Sequence, residues 1–125
     1  MAGLFEAFVR KFYIRNKSYY AVERGKKQIK WDAVSLTSDG KSFLPNMEAD
    51  IVMRRDNAIL VIDTKFYANT FQENWGSKSI YSGNLYQMCA YLLNLGATEN
   101  SACSGILLYP TTEDDVDLSY IIQRR

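Results

Sequence analysis

Two β-prone runs separated by a single turn-forming pair constrain this chain most. Residues 49–55 (Ala-Asp-Ile-Val-Met-Arg-Arg) and 58–66 (Ala-Ile-Leu-Val-Ile-Asp-Thr-Lys-Phe) flank Asp56-Asn57, a spacing that predicts a tight antiparallel hairpin. With the turn centred between Asp56 and Asn57, Arg54 falls opposite Ile59 and Val52 opposite Val61, and Asp50 falls opposite Asp63. Side chains alternate along a strand, so Lys65 shares a face with Asp63, and the same register sets Glu48 across from Lys65. Charged groups therefore gather at the open end of a face whose remainder is Val52, Ile59 and Val61.

The composition narrows what chemistry such a hairpin can carry. Of 125 residues, 47% are hydrophobic and 23% charged, enough to bury a core without disulfides or a partner. The absence of histidine excludes Ser-His-Asp and Cys-His triads, His-ligated zinc and imidazole bases. Cys89 and Cys103 are too few for a structural zinc site or a disulfide framework and fit a reducing compartment. The strongest apolar run, 58–62, is far short of the ~20 residues that cross a bilayer, and Glu6 and Arg10 stand where a signal peptide would be apolar. A soluble cytoplasmic protein with no membrane contact is expected. The net charge of +1 gives no histone-like coat and leaves a local basic patch open.

No repeat or low-complexity linker interrupts the chain, so a single domain over residues 1–125 is expected. Leu4, Phe5, Phe8, Val9, Phe12 and Tyr13 repeat at helical spacing and predict an amphipathic helix over 3–16 with this face in the core. Weaker strand character follows over 19–24 and 27–37, then a loop over 37–46. Beyond the hairpin, a polar loop is predicted over 67–82 and a helix over 84–95 stopped by Gly96; strands over 104–109 and 118–123 complete the order. The expected fold class is α/β, a mixed β-sheet flanked by α-helices.

Opposed carboxylates destabilise a sheet unless a cation compensates them. Asp50 and Asp63 with Lys65 nearby suit Mg²⁺, with Mn²⁺ able to substitute, because a hard ion takes one or two carboxylates together with waters and phosphate oxygens. Lys65 would then orient a nucleophile or stabilise a developing anion, giving phosphodiester hydrolysis without histidine. On spacing alone, the same three residues read at least as well as strand-end charges in a surface ion pair.

Further segments carry a resemblance. Asp50, followed after twelve residues by Asp63-Thr64-Lys65 at the end of an apolar run, and Gln87-x-x-x-Tyr91 on the next helix resemble the PD-(D/E)XK nuclease superfamily, including its RecB-type branch. Leu4-Phe5-Glu6-x-Phe8-Val9, Met47-x-x-Asp50-Ile51, Ile62-Asp63-Thr64-Lys65-Phe66 and Asn84-Leu85-Tyr86-Gln87-Met88-x-Ala90-Tyr91 are most similar to the nuclease domain of the McrC family, the endonuclease component of the 5-methylcytosine restriction system. Ala49 stands in place of the superfamily's proline, and no counterpart of McrC's amino-terminal docking region is expected in these residues. The resemblance implies a restriction-endonuclease-like core, metal ligation by Asp50, Asp63 and Glu6, catalytic roles for Lys65 and Gln87, and support from Tyr91. It also implies double-stranded DNA as substrate and a GTP-driven AAA+ motor of the McrB type as partner; a homo-oligomer is compatible.

Arg54 and Arg55 near the turn, Lys11, Arg15, Lys17, Lys26, Lys27 and Lys30 elsewhere, and Lys78 beside Trp75 and Tyr81 are candidate phosphate contacts, each equally at home on a solvated surface. Gly40-Lys41-Ser42 lacks the leading glycine of a P-loop, and the acidic stretch at 113–117 lacks EF-hand spacing. Other functions compatible with the residues are a Holliday-junction-resolvase-like or DNA-repair nuclease on the same core and a non-catalytic DNA-binding scaffold domain.

Overall fold

The computed structural model describes residues 2–15, 21–23, 25–65, 71–74, 77–109 and 119–121. A central sheet has strand order β1 (Ala21–Val22), β4 (Ile51–Arg55), β5 (Ala58–Thr64) and β8 (Ala102–Leu108). β4 pairs antiparallel with β1 and β5, whereas β8 runs parallel to β5. Helix α1 (Ala2–Arg15) opens the chain and α2 (Ser82–Glu99) makes the crossover toward β8. This is the expected mixed α/β architecture, consistent with a restriction-endonuclease-like core.

Alternation along the hairpin assigns each helix a face. Ile51, Met53 and Ile62, with Leu60 and Leu108, pack on Val9, Phe5 and Tyr13 of α1. Val52, Ile59 and Val61 turn the other way and pack on Met88, Tyr91 and Leu95 of α2. Asp63 and Lys65 continue that second face. The α1 core face is narrower than predicted, because Leu4, Phe8 and Phe12 are exposed while the neighbouring stripe of Phe5, Val9 and Tyr13 is inward.

The hairpin register is the expected one, with Arg54 opposite Ile59, Val52 opposite Val61 and Ile51 opposite Ile62. The ladder ends there. Asp50 is a bend, and β3 (Met47–Ala49) leaves to pair antiparallel with β2 (Lys27–Ile29). Glu48 therefore pairs with Gln28 in a separate ladder, which corrects its expected pairing with Lys65. The switch buries Met47 and Ala49 with Ile29 under α2, which a straight continuation of β4 would not do.

Several boundaries also differ. The segment predicted as a polar loop contains a second hairpin, β6 (Phe71–Asn74) with β7 (Ser77–Ile80). Residues 30–36 are irregular, and Gly40–Phe43 form a 3-10 turn. Helix α2 runs through Gly96 and ends at Asn100, whose φ of 49° supplies the left-handed cap; asparagine tolerates that region, and an interior glycine only weakens a helix. Residues 119–121 are not a strand, whereas the rest of the predicted last strand, 118 and 122–123, lies outside the described residues. At Gly105 of β8, an added Cβ would come within 2.4 Å of Met88 Sδ and 3.1 Å of Leu92 Cδ1, so glycine allows α2 to sit close on the sheet. No helix among the described residues is long and apolar enough to cross a membrane.

Candidate active site

The bend at Asp50, the end of β5 and the start of α2 converge on one pocket. It encloses about 320 Å³ and is lined by Glu6, Lys26, Asp50, Asp63, Lys65 and Gln87, with Gly3, Glu48, Thr64 and Tyr91 completing the wall. The residues that the resemblance assigns to metal ligation, catalysis and support, Glu6, Asp50, Asp63, Lys65, Gln87 and Tyr91, therefore meet here, joined by Lys26 from the candidate phosphate contacts.

Asp50 is held by its strand neighbour. Its Oδ2 accepts from the Thr64 backbone N–H and hydroxyl, both at 3.0 Å, and this double anchor aims Oδ1 into the pocket's acidic side. Burial pushes the Asp50 carboxyl upward, but the Thr64 N–H, Asp63, the Thr64 hydroxyl and Lys26 outweigh it and hold the group below the ordinary carboxylate range. Asp63 behaves oppositely. It is 4% exposed, and burial, reinforced by Asp50 and opposed by Lys65, pushes it up to about 6. Two carboxyls within hydrogen-bonding reach and driven apart in acidity form one titrating unit.

Lys65 Nζ lies 2.7 Å from Asp63 Oδ2 and donates to Gln87 Oε1 at 2.7 Å. The Asp63 contact is an ion pair without the geometry of a directed hydrogen bond, so this buried oxygen retains lone pairs for another ligand. Gln87 can reach the lysine because α2 presents its first turns to the end of β5. One turn on, Tyr91 is buried, and its hydroxyl donates to the Glu48 carbonyl at 3.0 Å. Tyr91 thereby ties α2 to β3, and burial, reinforced by the nearby Asp63 carboxylate, raises its pKa above the ordinary phenol value.

Glu6 faces the pair from α1, contacting Arg10 at 3.5 Å and Lys26 at 3.1 Å. Thr64 and Arg10 also contribute, although neither stands among the residues that the sequence pattern marks as candidates. Arg10 reaches three backbone carbonyls, at Glu23, Gly25 and Asp50; nothing in its helical spacing marks those contacts. Thr64 is the one of the two that the sequence can flag, by its place between Asp63 and Lys65.

The candidates Arg54 and Arg55 do not line the pocket. Arg54 is engaged by Glu23 and Glu99, the second at 2.8 Å, in a network that includes Lys27 at 3.6 Å from Glu99. Its charge is thus matched within the fold. Arg55 is exposed at the hairpin turn. Lys78 lies in β7 opposite Glu73, with its side chain outside the described set; Lys17, Trp75 and residues 113–117 also lie outside the described residues.

The donor set suits a hard cation: carboxylate oxygens, one of them buried and underused, at an open pocket with room for water. Among the described residues no group of three acidic, cysteine or histidine side chains is drawn together tightly enough to hold a metal unaided. An ion would therefore bind with water or substrate oxygens filling its shell, the usual habit of Mg²⁺.

Comparison with known proteins decides the family. The family model described as McrBC 5-methylcytosine restriction system component matches residues 1–110. The chain belongs to this McrBC family. It is 32% identical over 122 residues to the type IV methyl-directed restriction enzyme EcoKMcrBC of Escherichia coli (strain K12), a match covering 98% of this chain. The chain spans about a third, 34%, of that relative's length. The pocket-lining candidates all fall within residues matched to the McrBC model.

Proposed function

We propose that the chain is the metal-dependent DNA endonuclease domain of a McrC-like, modification-dependent restriction system. One observation carries this reading: just beyond the last rung of the hairpin the Asp50 and Asp63 carboxyls lie within hydrogen-bonding reach of each other, and Lys65 contacts both Asp63 and Gln87 in the same pocket. Membership of a restriction-system family supports it.

Asp50, Asp63 and, across the pocket, Glu6 are the residues that would hold Mg²⁺, or Mn²⁺ in its place. The bound ion would supply a water of lowered pKa and neutralise charge on the phosphoryl oxygens. Asp63 must be ionised to contribute, and the Lys65 ammonium at 2.7 Å favours that form against the cost of burial. Gln87 fixes the lysine ammonium beside Asp63 in the pocket, where its positive charge would act on the attacking oxygen or on the charge that grows on the scissile phosphate. Thr64 fixes Asp50 in the same way, with two hydrogen bonds to one oxygen.

Recognition of modified DNA and delivery to the cut site are assigned to a GTP-driven AAA+ partner of the McrB type, a reading supported by membership of the McrBC family. The test is cleavage of methylated plasmid DNA by the chain with a McrB-type GTPase, GTP and Mg²⁺. Double-strand breaks that vanish with chelator and with Asp63→Ala support the proposal; cleavage that survives both overturns it.

A further inference from the structure

The pocket already contains a cation of the protein's own. After β1 the chain turns at Gly25, whose φ of +67° lies in the left-handed region natural to glycine. Arg10 fastens this turn: Nη1 donates to the carbonyls of Glu23 at 3.1 Å and Gly25 at 3.0 Å, while Nη2 donates to the carbonyl of Asp50. One guanidinium thus ties the turn to the bend that presents Asp50. The next residue, Lys26, extends its ammonium to 3.1 Å from Glu6 Oε1 and 3.3 Å from Asp50 Oδ1.

The choice of oxygen matters. Asp50 Oδ2 already accepts two bonds from Thr64, leaving Oδ1 as the more available oxygen for a cation. Lys26 sits on that oxygen. Its side chain is 47% exposed, whereas those of Glu6 and Asp50 are 17% and 14% exposed. The anions are fixed and the cation has a path to solvent.

Resting on the reading of this pocket as a divalent-cation site, we propose that Lys26 is an internal placeholder for the metal, neutralising Glu6 and Asp50 until an entering ion displaces it. Holding those acids in their paired positions without metal keeps the site assembled, at the expense of affinity, because the ion must first break two lysine contacts. The divalent ion wins by its larger charge and its ability to take Asp63 as well.

The experiment is calorimetric titration of the full chain with Ca²⁺ alone, comparing wild type, Lys26→Met and Asp50→Asn. Methionine keeps the length of the side chain and removes its charge. The expected result is Ca²⁺ binding that is tighter by roughly three- to thirtyfold in Lys26→Met, the span for losing two partly exposed ion pairs, and binding that is lost in Asp50→Asn. Unchanged or weaker binding in Lys26→Met, with loss in Asp50→Asn, overturns the placeholder and leaves the metal pocket standing; no Ca²⁺ binding by wild type overturns both. A second measurement needs no variant: mass-spectrometric amine labelling of wild type should rise at Lys26, and not at exposed Lys30 or Lys41, when Ca²⁺ is added. Labelling of Lys26 that is unchanged by saturating Ca²⁺ also overturns displacement.

Discussion

Two neighbouring carboxyls of opposite tendency dominate the molecule at the scale of single residues. Asp63, raised from 3.8 to about 6, binds its proton more tightly folded than unfolded. The stabilisation this brings is complete below the unfolded value and is lost as pH rises through about 6. Asp50, depressed instead, contributes above the unfolded value and loses its contribution as pH falls below about 4. In chelator, the melting temperature should therefore be roughly 5 °C lower at pH 7 than at pH 5, and Asp63→Asn should flatten that difference; a slope retained in the variant places its origin elsewhere. Lys65 is predicted to act on the transition state. Lys65→Met should reduce single-turnover cleavage roughly 10²- to 10³-fold with DNA affinity nearly unchanged, whereas collapse of affinity with the rate intact would make it a phosphate clamp. Gln87→Ala, which only releases the lysine, should cost roughly 10- to 100-fold in rate and leave metal affinity in place.

The elements set these residues by simple means, and not all of those means can be read in a sequence. Strand alternation and the short Asp56-Asn57 turn made the hairpin legible, because a slip of one residue would turn Val52, Ile59 and Val61 away from α2. The same alternation conceals the break at Asp50: residues 49–55 read as one strand whose register extends to Glu48, whereas the burial of Met47 and Ala49 beside Ile29 diverts β3 to β2. Helix α1 has two adjacent apolar stripes, Leu4-Phe8-Phe12 and Phe5-Val9-Tyr13, and local periodicity does not select which one meets the sheet. Lys26 and Arg10 reach the site through tertiary contacts, so their spacing in the chain carries no sign of it. Gly105 offers an element-scale test. Gly105→Val suits a strand by propensity, yet its Cβ would invade the space of Met88 and Leu92; the variant should lose about 1–3 kcal/mol of stability, measured from the denaturant midpoint. Full stability would mean that α2 and β8 have slack to separate.

At the scale of the whole molecule, helices on both faces of a mixed sheet hold one acidic pocket at the end of the central hairpin. The net charge of +1 provides little non-specific attraction to DNA, and Arg54 is committed to Glu23 and Glu99. The chain by itself should consequently cut plasmid feebly and without preference for methylated DNA when given Mg²⁺ and no nucleotide. Rapid methylation-selective cutting under those conditions would locate specificity within these 125 residues. The proposed chemistry depends on a divalent ion binding at the Asp50 and Asp63 carboxylates. The most direct measurement is calorimetric titration of wild type and Asp63→Ala with Mg²⁺ or Mn²⁺, with thermal melts to verify folding. Wild type should bind the ion and a folded Asp63→Ala should not; equal affinity in the two proteins would contradict a metal site at these carboxylates.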